Sequence, residues 1–421
     1  MRVAELYEKL GSKDEAAKSL EKLLALDPSN VALQKLIIDF YQRTGKYDKA
    51  LTMVNNILEL FPDDLEAREK KALILIREGK WQDASEQYQF ILKDDSIPLE
   101  SKIDIGASFF AKSITDSTIL PFTKNIFKTI NADTTDWQVK LYLGAIALTE
   151  GDDSTANKNF EFVTENARYN SQAWIRIGGL YFDNRKYDEA EKFMGEAVEL
   201  FPDDFAVNLI LGLSLAQNGK AGDSEPYLSK AVQLNRNDLT ALSAYAFTLS
   251  QLGRDEEAVE YLKNALRLKP DDVNLLGQLG LSYNNLQMMA ESDSVYEKAL
   301  TIEPENALVN NNYAYSLSER GLQLERALKM VNIALENDSL NSSYLDTKGW
   351  IYFKLKDYKL AQKYIEEAIK AGGENAVMLE HLGDILYMNG NKSEAVENWK
   401  KALKLDEKNE TLIRKVEAGV I

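Results

Sequence analysis

Apolar residues return every three or four positions along nearly the whole chain, in stretches of about 13 residues. That spacing puts them on one face of an α-helix and does not fit the alternation of a strand. A short turn follows each stretch, often with a glycine: Gly45, Gly79, Gly219, Gly253 and Gly390. A second apolar-periodic stretch then runs up to a proline. Proline has no amide hydrogen and clashes with the preceding turn, so it ends that second helix. An Asp, Asn or Ser beside it can cap the helix that follows. The pattern predicts a chain of helical hairpins.

The hairpins recur with a fixed period. Five of the eight prolines share their surroundings: Pro28, Pro62, Pro202, Pro270 and Pro304. The intervals between them are 34, 140, 68 and 34 residues. All are multiples of 34 except one, which carries four extra residues between Pro62 and Pro202. A period of this length predicts an all-α solenoid. Small residues also keep fixed places, as in Gly178, Ala190 and Ala197, then Gly212, Ser224 and Ala231, then Ala246, Ala258 and Ala265. The same places hold Gly349, Ala361 and Ala368, then Gly383, Ala395 and Ala402. Small side chains let paired helices approach, while large ones such as Trp174, Tyr181 and Tyr187 fill the space between them.

One unit shows the whole pattern: AWIRIGGLYFDNRKYDEAEKFMGEAVELFPDD, from Ala173 to Asp204. Trp174, Ile177, Gly178 and Tyr181, followed by Tyr187, Ala190, Ala197 and Pro202, resemble the tetratricopeptide repeat. The resemblance covers nearly the whole chain. The last third is similar to tetratricopeptide proteins of Gram-negative bacteria, many of them exported or membrane-associated. The fold this implies is a right-handed superhelical solenoid of about twelve helix-turn-helix units. Repeats are expected to begin near residues 31, 65, 137, 171, 205, 239, 273, 307, 342 and 376, after a truncated first unit. The expected organisation is an N-terminal array over 1–98, a degenerate repeat over 99–136, a C-terminal array over 137–409 and a capping helix over 410–421. The degenerate repeat keeps Gly106, loses the alanines, and has Pro121 where its second helix would begin. It is expected to change the direction of the superhelix.

Composition narrows the function. With 45% hydrophobic and 28% charged residues the chain reads as an ordered soluble protein. It contains no cysteine, which excludes disulfides, thiolate metal sites and cysteine nucleophiles. His381 is the single histidine, so histidine pairs cannot hold a metal. It is expected to act as a local hydrogen-bonding residue, not as a catalyst. No glycine-rich phosphate loop, HExxH or GxSxG motif occurs, and neither cofactor nor catalytic residue is expected. The formal net charge of −17 makes the protein acidic and opposes nucleic acid and anionic lipid. A neutral or basic protein partner is easier to accommodate.

The family resemblance implies that the first helix of each repeat faces a concave groove through five of its positions. Over residues 171–251 those positions hold an uncharged, mildly apolar floor that includes Leu213, Phe247 and Ser250. From residue 273 onward amides, aromatics and acids take over. The candidate partner-binding residues are Asn284, Asn285, Asn311, Tyr315, Asp346, Trp350, Phe353, Glu380, Asp384 and Tyr387. Amides can donate to and accept from a peptide backbone whatever its sequence. Aromatics bury large areas at small entropic cost, and acids favour a basic partner. The groove lacks the Lys/Asn/Arg set by which some co-chaperones of the family hold a C-terminal carboxylate. The expected function is therefore a noncatalytic scaffold that binds an extended segment or helix of another protein. The alternatives are a self-associating subunit of a larger complex, exported or membrane-associated, and an accessory region of an enzyme. The N-terminal stretch is an amphipathic helical pattern with no signal-peptide pattern; absence of cysteine suits both the bacterial cytoplasm and the periplasm, so the compartment is left open between them.

Overall fold

The structure, a computed structural model, describes residues 2–421. Among the described residues it holds 25 α-helices, one short 3-10 turn at Ser117–Ile119 and no strand. They form two compact units, Met1–Lys186 and Tyr187–Ile421. The first unit contains α1 (Arg2–Lys9), α2 (Lys13–Leu26), α3 (Val31–Arg43), α4 (Tyr47–Leu60), α5 (Leu65–Arg77) and α6 (Trp81–Leu92). It continues with α7 (Leu99–Thr115), α8 (Leu120–Asp133), α9 (Trp137–Thr149), α10 (Asp153–Asn166) and α11 (Ser171–Asp183). The second unit contains α12 (Tyr187–Leu200), α13 (Phe205–Gln217), α14 (Ala221–Leu234), α15 (Leu239–Gln251), α16 (Asp255–Leu268) and α17 (Val273–Asn285). After these come α18 (Met289–Ile302), α19 (Ala307–Glu319), α20 (Leu324–Asn337) and α21 (Ser342–Lys354). The last are α22 (Tyr358–Gly372), α23 (Ala376–Met388), α24 (Lys392–Leu405) and α25 (Glu410–Ala418).

Odd-numbered helices up to α23 are the first helices of twelve repeats, even-numbered ones the second, and α25 packs on α24 as a cap. The first helices start at the residues the period predicts, from Val31 to Ala376. Side-chain oxygens of Asn30, Asp64, Asp136, Asp204, Asp238, Asp272 and Asn306 accept from backbone N–H groups in the first turns that follow. These caps satisfy donors that a helix start leaves unpaired. At the other end, Gly45, Gly79, Gly151, Gly219, Gly253 and Gly390 all have positive φ, where a Cβ is unfavourable. Gln287 and Lys356 adopt the same turn without glycine.

Most hairpins close on a small residue of the first helix, although α3 carries Ile38 in that register. A Cβ added at Gly144 would lie 2.5 Å from the ring of Phe160 on α10. The same close approach joins Gly106 to Phe127, Gly212 to Leu228, Gly280 to Tyr296, Gly349 to Ile365 and Gly383 to Trp399. The periodic alanines Ala190, Ala197, Ala258, Ala265, Ala361, Ala368, Ala395 and Ala402 are fully buried. Where serine replaces alanine, its hydroxyl donates to the glycine carbonyl of the first helix: Ser224 to Gly212 at 2.7 Å and Ser292 to Gly280 at 2.8 Å. Consecutive first helices lie side by side, α7 on α9 and α9 on α11 in one unit, and α13 through α23 in the other.

The irregular repeat differs in one respect. Ser113 occupies the register where other repeats turn on glycine, and the helix does not turn there. As a result α7 runs for 17 residues, while α5, α9 and α11 each have 13. The four extra residues amount to about one added helical turn. Pro121 then sits in the first turn of α8, where the missing amide hydrogen is not needed. No helix among the described residues is long and apolar enough to cross a membrane.

The closures give a direct test. Gly144→Val places methyl groups where Phe160 lies and is expected to cost about 1–3 kcal/mol or more, read as a lower urea midpoint by circular dichroism. A midpoint equal to that of the wild type would mean that the helices do not meet there.

Candidate interaction surface

In the second unit the row of first helices opens into a recess of about 340 Å³ between α15, α17 and α19. Its apolar wall is Phe247, Leu281 and Leu308, which remain 46%, 38% and 44% exposed. Its polar lining is Ser250, Gln251, Gln278, Ser282, Asn285 and Asn312, with no charged side chain. Buried Asp255 at the start of α16 fixes part of this rim from behind. Ser250 Oγ donates to its Oδ1 at 2.6 Å, and Asn285 Nδ2 donates to its Oδ2 at 3.2 Å. Gln278 Oε1 is buried and lacks a hydrogen-bond partner among the described residues. An unpaired buried acceptor carries the full cost of lost hydration, so an N–H donor arriving in the recess would be favoured there.

The residues singled out by sequence divide into two groups. Asn284, Asn285, Asn311 and Tyr315 lie on α17 and α19; of these Asn285 lines the recess, while the Tyr315 ring approaches His381 of α23 at 6.5 Å. Asn284 Oδ1 accepts from Ser316 Oγ at 2.5 Å. Asn311 is buried, with its Oδ1 unpaired. Tyr315 is partly buried, and burial pushes its hydroxyl well above the usual tyrosine range. The second group is packed into the chain itself. Trp350 is only 7% exposed, stacked on Phe353 at 4.6 Å and on His381 at 4.0 Å. Its indole N–H donates to the Glu319 carboxylate. Asp346 Oδ1 accepts from His381 Nδ1 at 2.9 Å. His381 thus finds its carboxylate on α21, not in Glu380 or Asp384 of its own helix.

Glu380 and Asp384 are held by Lys415 from the capping helix. Lys415 Nζ donates to Glu380 at 2.7 Å and to both oxygens of Asp384 at 2.8 Å. Trp399 Nε1 adds a bond to Asp384 Oδ1 at 2.9 Å, and Tyr387 lies against the Trp399 ring at 5.9 Å. These acids were expected to select a basic partner. The correction is that the chain supplies the bases, because His381 and Lys415 already occupy Asp346, Glu380 and Asp384. Sequence reasoning missed Lys415, Asp255, Leu308 and Gln278. Leu308 stands at the second position of its first helix, whereas Lys415 lies outside the repeat and had no periodic signal.

Burial disfavours the charged form of His381, but the Asp346 charge and hydrogen bond outweigh it, and the imidazole is raised above its ordinary 6.5. Burial also raises the Asp384 carboxyl, against the opposing effects of Lys415 and Trp399.

Comparisons with known proteins agree in kind. Residues 107–345 match the family model described as the C-terminal domain of cilia and flagella-associated protein 70, which is more than half of the chain. Residues 9–74 and 347–410 each match a tetratricopeptide repeat model. No curated protein matches the chain. Among solved structures, a tetratricopeptide repeat protein from Parabacteroides merdae ATCC 43184 is similar at 19% identity. That match covers 59% of this chain and 98% of the other, with a TM-score of 0.50. The APC/C hetero-tetramer Cut9–Hcn1 is similar at 13% identity over 99% of this chain and 95% of that one, with a TM-score of 0.51. Both likenesses concern the fold.

Two outcomes follow from the buried charges. The stabilisation from protonated His381 is present in full below about pH 6.5 and is lost as pH rises through the higher folded value. Urea midpoints of the wild type should therefore fall relative to those of His381→Gln as pH rises above about 6.5; parallel profiles would refute the ion pair. Lys415→Met strands the Asp384 charge and should cost about 3–5 kcal/mol, while Lys415→Met with Asp384→Leu should recover most of it. A single variant as stable as the wild type would contradict the pairing.

Proposed function

This chain belongs to the tetratricopeptide repeat proteins, in the family of the cilia and flagella-associated protein 70 C-terminal domain, and we propose that it is a noncatalytic scaffold whose first-helix row binds a segment of another protein. The observation that carries this reading is the recess at Phe247, Leu281 and Leu308. It is uncharged and apolar, on a chain whose formal net charge is −17. Large exposed apolar side chains grouped inside a polar rim are characteristic of protein contact surfaces. The rim amides Asn285 and Asn312 are suited to an extended backbone. The partner segment is neutral and apolar where it meets the recess. Asp346, Trp350, Phe353, Glu380, Asp384 and Tyr387 act as the floor that holds α21, α23 and α25 in register, and Tyr315 meets that floor at His381.

This division of labour has a practical consequence. Trp350→Ala removes a buried ring and is expected to cost about 3–5 kcal/mol, so it cannot separate binding from folding. Phe247→Asp with Leu281→Asp changes exposed positions only. Affinity capture with the full chain should recover a partner that this double variant loses and that Lys329→Glu, on the surface of α20, keeps. Circular dichroism melting of all three proteins should coincide. Equal capture by the double variant would overturn the reading. Recovery of a second copy of this chain as the only bound protein would favour the assembly role instead.

A further inference from the structure

The irregular repeat builds a second surface in the first unit, independent of the recess just described. The row of first helices opens there into a cleft of about 360 Å³ between α7, α9 and α11. The added turn of α7 forms one wall. Ile114 lies in that turn, lines the cleft and is 74% exposed. Phe110 sits one turn earlier and meets the Tyr142 ring edge-on at 5.3 Å, while Tyr142 stacks on Phe127 at 4.5 Å. The aromatic floor is therefore fixed before any partner arrives. On the opposite wall, α11 contributes Leu180 and Gly179, and a Cβ added at Gly179 would meet nothing within 4 Å.

The ends of that wall are charged. Arg176 and Asp183 both line the cleft and are exposed. Neither has an ion-pair partner among the described residues. They stand seven residues apart on one helix, which puts them on the same face about 10.5 Å apart along the axis. Between them lie Gly179 and Leu180, three and four positions from Arg176. A partner helix presents the complementary pattern when an acid and a base stand seven residues apart with apolar residues at the third and fourth positions between them.

We propose that this cleft docks one amphipathic α-helix of another protein, its acid over Arg176, its base over Asp183 and its apolar pair between Ile114, Phe110 and Leu180. The charge order fixes the direction of the helix. A net-neutral pair of contacts also spares the partner the repulsion that an acidic chain would otherwise exert. The four residues that disturb the period thus supply the wall of a binding site.

The test uses the full chain and two fluorescein-labelled synthetic helical peptides. One carries Glu and Lys seven residues apart with Leu at the third and fourth positions between them; the other has Gln in place of both charges. The wild type should bind the charged peptide about tenfold more tightly than the other, by fluorescence anisotropy. Arg176→Gln with Asp183→Asn should abolish that preference, and Ile114→Asp should remove binding of both peptides. Phe247→Asp with Leu281→Asp should leave it unchanged. Equal binding of the two peptides by the wild type, a preference that survives the loss of both charges, or binding that persists in Ile114→Asp would overturn the proposal. Loss of binding only in the Phe247/Leu281 variant would assign the peptide to the other recess and overturn it equally.

Discussion

The contact on which the rest of the structure depends is the seat that a small residue on the first helix, most often glycine, gives to a large side chain on the second. Phe160 on Gly144, Tyr296 on Gly280 and Trp399 on Gly383 are instances of one geometry. A Cβ at any of these glycines would force the helices apart. Because the hairpin closes tightly, its two helices share one thin apolar seam, and the rest of each apolar face must be covered by the next hairpin. Among the described residues, buried side chains accordingly fall into clusters that run across neighbouring repeats. Such stacks are stable only as arrays, with nearest-neighbour interfaces carrying much of the energy.

That constraint also decides where function can lie. The second helices spend their large side chains on closure, and the first helices are left with a free face. Along this face the chain alternates between two uses. Near α21 and α23 the face is consumed internally: Trp350 covers His381, Asp346 pairs with His381, and Lys415 returns from the cap to hold Glu380 and Asp384. Near α15 to α19, and separately near α7 to α11, it is left open and apolar. Open stretches backed by rigid, satisfied ones give preorganised surfaces, which lowers the cost of ordering on association.

Much of the fold was legible in the sequence. The prolines and glycines set the period, and Val31, Trp137 and Ala376 begin helices where that period puts them. The site was legible only in part. Helical offset says which way a side chain points, and it did select Phe247, Ser250 and Asn285. It does not say what a neighbouring repeat or a cap will lay over that side chain. Trp350 stood at a groove offset yet is covered by His381, about one repeat further along the chain. Asp384 looked free because its cation, Lys415, belongs to a helix outside the repeat pattern. The extra residues of the irregular unit could be located from the interval between prolines. Their placement in α7, with Ile114 exposed, depended on which of two helices lengthened, and the interval is the same in either case.

The central claim is that the first helices, and not the second, carry the binding surface. Hydroxyl-radical footprinting of the full chain, free and with a captured partner, addresses it side chain by side chain. The account predicts protection at Phe247, Leu281 and Leu308, with exposed second-helix side chains such as Leu268 and Ile302 unchanged. Protection confined to the second helices would contradict it.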